Sequence, residues 1–549
     1  MKKYWNNTSK IALAIGVFVL TTAASYKDTL FEVTKNIEIF TDVYRNLQEA
    51  YVDEPEPGYL MKKAIDAMLA ALDPYTVYYP ESRIEEATFM QTGAYGGIGI
   101  NTKRRNDEVL ITDVYDGFGA DKAGVLIGDA IVKIGDKWIK DLTDDESAML
   151  IKGQPGSTVT LTLRRGKTGA EETLVVKRES VKNKDVPFYG VVPESKTGYI
   201  LLEGFTQTAS SEVREAFLAL KKQDINSLIL DLRGNGGGLL REAVSIVNFF
   251  VPKGSPIVET KGRIAEWKNT YMASAEPLDV NIPLIVLIDD HSASASEIVS
   301  GSLQDLDRAV IIGKESFGKG LVQQTVDLAY NTKMKLTIAK YYTPSGRCVQ
   351  RLDYSHRDQK TGKVDAVDDQ KIQQFKTKKG RPVTDGRGVL PDVTVDTESA
   401  NAWLDNLNKK FALFDFVTQS NIDFNQMDTT GNFILSQSDL ESFKNYLDKI
   451  NFFAISEDLK AWDEYTEQLK KSKPELSAEI IALQKKVYFE NNKEFDKNKS
   501  TLKYLLEREM VRRSGNPRAY SRQIIHYDPV VKKALNVLNQ DYKKILLIP

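Results

Sequence analysis

The chain has 549 residues, of which 42% are hydrophobic and 27% charged. That length predicts about three to five domains, and the apolar fraction excludes a wholly disordered chain. Lys and Arg total 74 against 76 Asp and Glu, a net charge of -2 that advertises neither nucleic acid nor an acidic surface as partner. A single cysteine, Cys348, excludes an intramolecular disulfide and a thiolate zinc cluster. Three histidines, His291, His356 and His526, leave little material for a metal site.

Lys2, Lys3 and Lys10 precede an apolar run from Ile11 to Leu20, which continues through small residues to Ala24 and Ser25. A positive start, a short apolar stretch and a small-residue end predict a secretory signal over residues 1–25. The run falls short of the roughly 20 residues that span a bilayer, with an uncleaved anchor as the alternative. The chain is therefore expected to be exported, to the periplasm or cell envelope. Residues 26–90 show helical spacing in Leu30, Val33 and Ile37, then Val43, Leu47 and Tyr51, and again over Met61 to Leu72. Asp73-Pro74 should stop that pattern.

Residues 91–180 change character. The glycine-rich stretch Gly93-Ala-Tyr-Gly-Gly-Ile-Gly-Ile100 is followed by short strands predicted at Val109–Val114, Ala130–Ile134, Thr158–Leu163 and Thr173–Val176. Asp144–Lys152 is the one good helix of this β-rich module. Residues 197–345 then alternate apolar strands with amphipathic helices. The strands are Tyr199–Phe205, Ser227–Leu232, Leu284–Ile288 and Ala309–Ile312; the helices are Ser210–Lys222, Leu239–Phe250 and Ala295–Leu306. This is the pattern of βαβ units and a sheet buried on both faces. Residues 396–549 are rich in Lys, Glu, Leu and Asn and read as helical, with one or two long helices over Leu476–Arg512. Arg508, Arg512, Arg513, Arg518 and Arg522 read as a solvated face.

Three loops can carry chemistry. Asp231-Leu-Arg-Gly-Asn-Gly-Gly-Gly238 follows a strand and opens a helix, so its backbone N–H groups suit a phosphate or an oxyanion. Ser292-Ala-Ser-Ala-Ser296-Glu297 places serines at a helix start. Taken alone it reads first as a capping box of Ser294 and Glu297, and second as an accessible nucleophile. Gly313-Lys-Glu-Ser-Phe-Gly-Lys-Gly320 nearly fits a phosphate-binding loop. It lacks the Ser or Thr after the lysine, and the residues that follow alternate like a strand, which argues against a nucleotide. The second and third loops follow strands of one sheet and can converge at its carboxyl edge. A neutral Lys319 could then take a proton from Ser294, in a Ser-Lys variant of the catalytic triad. Bringing a lysine to neutrality near pH 7 requires about 4–5 kcal/mol of burial or positive surroundings. An amide such as Gln323 could orient the amine without adding charge. His291 is awkwardly placed for a base, and Cys348 reads as an inert thiol.

These residues resemble the C-terminal processing, or tail-specific, proteases of the S41 serine peptidase family, over roughly residues 35–395. The resemblance rests on Leu72-Asp-Pro-Tyr75, Tyr95-Gly-Gly-Ile-Gly-Ile100, Ala123-Gly-Val-Leu-Ile-Gly-Asp129, Ile229-Leu-Asp-Leu-Arg-Gly-Asn-Gly-Gly-Gly238, Ser292-Ala-Ser-Ala-Ser-Glu-Ile298, Phe317-Gly-Lys-Gly320, Ala339-Lys-Tyr-Tyr-Thr-Pro-Ser-Gly-Arg347 and Gly388-Val-Leu-Pro-Asp392. It implies Ser294 as nucleophile, Lys319 as general base and Gln323 as its orienting amide. It implies the N–H groups of Gly237 and Ala295 as oxyanion hole, and Asp305 as a secondary candidate that could be structural. Where the family usually carries Asn-Pro, this chain has Asn235-Gly236, which should leave the turn functional but looser.

The resemblance further implies a multidomain α+β protein with an α/β, crotonase/ClpP-like peptidase core over residues 181–395. Residues 91–180 would be a PDZ domain of circularly permuted type, between helical regions at 26–90 and 396–549. In such a module Tyr95, Gly96, Gly97, Ile98 and Gly99 would grip a substrate's terminal carboxylate, with Ile98 and Ile100 lining an apolar pocket. Expected partners are proteins or peptides with free C-termini. The C-terminal helical domain could serve a homo-oligomer or an adaptor. No cofactor, metal or nucleic acid is implied, and membrane contact only through an uncleaved anchor. The rival readings are a non-catalytic PDZ scaffold and a crotonase-like acyl-thioester enzyme.

Overall fold

A computed structural model describes residues 30–84, 92–182, 184–358, 361–395, 402–420, 433–450, 452, 457–487, 491–513 and 525–548. The predicted signal, Arg518 and Arg522 lie outside these residues. The chain divides into two compact units, 1–78 and 79–549. The first contains helices α1 (30–50) and α2 (Pro57–Ala70). Asp73 ends the helical pattern: its carboxylate accepts the N–H groups of Tyr75 and Thr76, both at 2.8 Å. Among the described residues, no helix is long and apolar enough to cross a membrane.

In the second unit the β-rich module expected to be a PDZ domain comes first. Its strands are β1 (Ala94–Gly97), β2 (Ile100–Arg105), β3 (Glu108–Val114), β4 (Ala130–Ile134), β5 (Thr158–Arg164), β6 (Glu171–Lys177) and β7 (Glu179–Lys182), with helix α3 (Asp144–Ile151). The order β2-β3-β4-β5-β6 leaves β2 at a sheet edge, while β1 pairs with β7. A capping box of Thr143 and Glu146 starts α3.

The α/β core follows in the order β8 (Phe188–Val191), β9 (Thr197–Leu201), α4 (Ala209–Lys221), β10 (Ser227–Asp231), α5 (Leu240–Asn248), β11 (Pro256–Gly262), β12 (Asn269–Met272), β13 (Leu284–Ile288), α6 (Ala295–Asp305), β14 (Val310–Gly313), β15 (Leu321–Asp327), β16 (Lys333–Tyr342) and β17 (Val393–Thr394). The main sheet runs β8-β9-β10-β13-β14-β17, parallel from β9 onward. Strands β12-β11-β16-β15 form part of a second, antiparallel sheet.

The parallel strands advance steadily in one direction. Right-handed crossovers therefore place α4, α5 and α6 on the same face. There they bury Ile200, Leu230, Val286 and Ile311. The alternate residues, Tyr199, Ile229, Ile285, Leu287, Val310 and Ile312, point to the opposite face and need another cover. It comes from the far end of the chain, after helices α7 (Ala402–Lys409), α8 (Ala412–Gln419), α9 (Gln437–Lys449), α10 (Glu457–Ser472), α11 (Ser477–Val487), α12 (Asn491–Lys497) and α13 (Lys499–Arg513). Helix α14 (Pro529–Gln540) lays Val530, Val531, Ala534 and Val537 on the bare face, and the Tyr542 hydroxyl accepts the Leu284 N–H at 2.9 Å. Helix α14 thus completes the α/β core, and α11 to α13 replace the one or two long helices expected over Leu476–Arg512.

Of the arginines expected on a solvated face, Arg512 and Arg513 make part-buried contacts to distant segments instead. Arg512 pairs with Asp113 of β3 at 2.6 Å, and Arg513 lies 4.2 Å over the Phe414 ring while donating to the Ile127 carbonyl. Arg105 of β2 pairs with Asp415 at 2.7 Å. The spacing that suggested a polar helix face was serving a partner distant in sequence, the PDZ module. Truncation before Ile525 should expose the apolar sheet face and give a chain that aggregates or binds a hydrophobic dye. A soluble truncated chain with an unchanged, cooperative melt would refute this layering.

Candidate active site

Ser294 ends the turn between β13 and α6. Its φ of 56° and ψ of -109° are unusual for a residue with a Cβ, and such a conformation costs of order 1–3 kcal/mol. The surroundings hold it on every side. The Ala293 N–H donates to the Asn235 carbonyl at 3.0 Å, and the Tyr341 hydroxyl donates to the Ser294 carbonyl at 3.2 Å. Helix α6 is buried along its whole length, so its first turn has no freedom to relax.

The main tie is Glu297. Its carboxylate accepts the Ser294 N–H at 2.8 Å, the capping contact expected from the sequence. The same oxygen accepts the Lys319 N–H at 2.8 Å; the other accepts the Gly318 N–H at 2.7 Å and the Ser316 hydroxyl at 2.5 Å. The amide nitrogens of Ser294 and Lys319 therefore lie at most twice 2.8 Å apart. Burial raises the Glu297 pKa, against the opposing pull of the bonds from Ser316, Lys319, Ser294 and Gly318. The glycines beside Lys319 have a packing reason. A Cβ on Gly318 (φ 87°) would meet Arg351 Cβ at 2.6 Å, and one on Gly320 would meet the Gln350 backbone nitrogen at 2.8 Å.

The glycine-rich turn after β10 is stitched to the serine turn. The Gly234 N–H donates to Asp289 at 3.0 Å, the Ser292 hydroxyl to the Leu232 carbonyl at 2.8 Å, and the Ser296 hydroxyl to the Asn235 carbonyl at 2.9 Å. Gly237 (φ 95°) lies so close that an added Cβ would stand 2.9 Å from Ser294 Cβ and 3.0 Å from the Ala295 nitrogen. Its own N–H donates to Asn235 Oδ1 at 2.9 Å, so serving an oxyanion means exchanging that bond for the substrate oxygen. Ser294, Ala295, Gly237, Lys319 and Gln323 all line one cleft of about 680 Å³. The Gln323 amide donates to Thr337 at 3.3 Å, across the β15–β16 pair and beside a register shift at Val322/Gln323 that sets its direction.

Residues 196–354 match the model described as "Peptidase family S41", residues 96–177 match "PDZ domain", and residues 403–538 match "Probable PDZ-protease, C-terminal helical domain". A carboxy-terminal-processing protease of Bartonella bacilliformis is 37% identical over 324 residues, covering 58% of this chain and 73% of that protein. The chain belongs to peptidase family S41. A protein named "Probable CtpA-like serine protease" from Staphylococcus aureus strain MRSA252 is 30% identical over 402 residues, 70% of this S41 chain and 72% of the relative. A solved photosystem II D1 C-terminal processing protease covers 70% of this chain and 97% of its own, with 26% identity and a TM-score of 0.38. This S41 peptidase is thus a serine protease of the carboxy-terminal-processing kind with a PDZ domain.

Other predicted residues fall outside the cleft. Asp305 sits at the opposite end of α6, fully buried against Arg347 at 2.9 Å, and accepts the Thr343 hydroxyl at 2.5 Å. In the PDZ loop, Gly96 is required because a Cβ would lie 2.0 Å from the Gly153 carbonyl oxygen, and Gly99 (φ 81°) because one would lie 2.4 Å from Phe118 Cβ. Burial pushes the Tyr95 hydroxyl up to about 12, with Tyr115 adding to the shift. Ile98 and Ile100 do not line an open pocket; both pack into the module's core, at 1% and 8% exposure. Gly97 lies under the Tyr95 ring. His291 is exposed beside Asp290, and burial raises the Cys348 thiol, the inert state expected for it. Sequence reasoning missed the linking role of Glu297 and the Tyr341 contact. The capping spacing was visible for the first, but its partners in the lysine loop were not.

Glu297→Gln should lower kcat by about a hundredfold, the cost that a misplacement of reacting groups by about 1 Å can carry. In the parent protein, acid should protonate Glu297 above the ordinary glutamate range. The folded state then takes up a proton before the unfolded chain does, so this titration relieves a stability cost rather than creating one. A kcat profile should therefore show an acid limb in a pH range where the melting temperature does not fall because of this group. Asp305→Ala strands the Arg347 charge in the core and should cost about 3–5 kcal/mol in urea unfolding. Cleavage per folded molecule should stay near normal; a large kcat loss at unchanged stability would place Asp305 in the chemistry.

Proposed function

We propose that this protein is an exported endopeptidase that selects substrates by their C-termini and cleaves them with a Ser294–Lys319 dyad. The observation that carries the reading is the Glu297 carboxylate, one oxygen of which binds the backbone N–H groups of both residues at 2.8 Å. Both side chains open into the same cleft from that shared anchor.

The uncharged Lys319 amine takes the proton of the Ser294 hydroxyl as the oxygen attacks a peptide carbonyl. Negative charge develops on the carbonyl oxygen at the start of α6, where the Ala295 N–H and the helix dipole favour it, with Gly237 N–H as second donor. Collapse of the adduct passes the proton from lysine to the departing amine. Water, deprotonated in turn by Lys319, releases the acyl group. Gln323, which lines the same cleft, orients the amine without adding charge.

The PDZ module supplies selection. The edge strand β2 can take an extended peptide as an added strand, and the loop Tyr95-Gly-Gly-Ile-Gly99 receives its carboxylate. Export rests on the basic and apolar N-terminal segment.

Ser294→Ala and Lys319→Ala should each abolish cleavage of an unfolded protein with an apolar C-terminus while leaving the melting temperature within a few degrees. Amidating that C-terminus should raise KM more than it lowers kcat. Near-normal turnover in either variant would end the dyad assignment. Peptide binding without any Ser294-dependent turnover would favour a non-catalytic scaffold.

A further inference from the structure

We propose that Asp528, contributed by the C-terminal helical region, is a positioning residue for the oxyanion turn and acts through Arg233. The proposal rests on the reading of Ser294 and this turn given above. Strand β10 ends at Asp231, whose carboxylate accepts the Tyr199 hydroxyl at 2.6 Å, the Arg233 N–H at 2.9 Å and the Arg233 guanidinium through Nε at 3.0 Å. The guanidinium continues outward, and its Nη2 donates to Asp528 Oδ2 at 2.7 Å. The other Asp528 oxygen caps α14, accepting the N–H groups of Val530 at 2.7 Å and Val531 at 3.2 Å. One carboxylate thus joins the first turn of the last long helix to the residue that begins the oxyanion turn.

Three features make this more than a surface ion pair. The side chains of Arg233, Asp231 and Asp528 are only 22%, 2% and 9% exposed, so water screens them little. Burial disfavours the guanidinium charge, but the two carboxylates outweigh it and keep Arg233 protonated. Asp528 is also presented rigidly, because α14 is packed across the sheet face.

The turn itself transmits position. Two residues after Arg233, Asn235 accepts the Ala293 N–H and the Ser296 hydroxyl through its carbonyl, and the Gly237 N–H through its side chain. A shift at Arg233 therefore moves the predicted oxyanion donor and the serine turn together. Asp231 alone already neutralises Arg233; Asp528 adds direction, fixing where the guanidinium points and where the turn begins.

The test uses the full-length protein and Asp528→Asn, which keeps the side-chain volume and a good helix cap but removes the charge facing Arg233. The expected result is a kcat per folded molecule lowered about tenfold with KM within twofold and a melting temperature a few degrees lower, together with slower labelling by a serine-directed fluorophosphonate. Asp528→Ser, also a capping residue, should behave alike. Ala534→Gly loosens α14 without touching Arg233 and should leave kcat per folded molecule near normal. Unchanged kcat in both Asp528 variants, or an equal kcat loss in Ala534→Gly, would overturn the proposal. Ser294→Ala separates the two levels: if it still cleaves, the underlying reading fails; if it is inactive while Asp528→Asn is normal, only the positioning role fails.

Discussion

One buried carboxylate decides whether this site exists. The serine turn and the lysine loop come from different strand ends, and neither is held by its own secondary structure. Glu297 gives both loops a common acceptor by taking four donors, three backbone N–H groups and the Ser316 hydroxyl, from the two of them. An ionised group in the core is costly unless its hydrogen bonds are complete. Completing them is what forces the two loops together. The strained backbone of Ser294 is tolerable for the same reason, since the conformation that strains it also points its N–H at Glu297.

A second constraint comes from topology. The one-directional strand order puts every crossover helix on the same side of the main sheet. An uncovered parallel sheet is not stable in water, so the opposite side needs an apolar layer from elsewhere. The C-terminal helices meet that need and, through Arg512, Arg513 and Asp415, hold the PDZ module as well. Their part in the molecule follows from burying surface on two neighbours, and the residues at those contacts are mostly arginines paired with carboxylates or carbonyls.

Much of the fold was legible in the sequence, for reasons of periodicity. Continuous apolar strands such as Leu284–Ile288 were readable because both faces are buried, and α6 because its small residues and capping pair mark a helix start. The hairpin β15–β16 was half legible: the alternation after Lys319 shows a strand, but nothing local shows its partner. The site residues were readable as types at loop ends, whereas the contacts that join them were not. Glu297 reads as an ordinary cap because its partners Gly318 and Lys319 are 21 and 22 residues away. The arginines of α13 read as solvent-facing because a charge pattern carries no record of a partner some 400 residues away. Ile98 and Ile100, which the resemblance implied as pocket lining, pack into the module's core, a placement the local sequence does not record.

The placement of α14 has a consequence for biosynthesis. Residues 525–548 leave the ribosome after every strand of the main sheet. Until they do, a nascent chain with all its strands paired still presents an apolar sheet face, a surface that chaperones would hold. The arginine at the base of the oxyanion turn also lacks its outer carboxylate until then. Completion of the core is thereby linked to the arrival of a late segment.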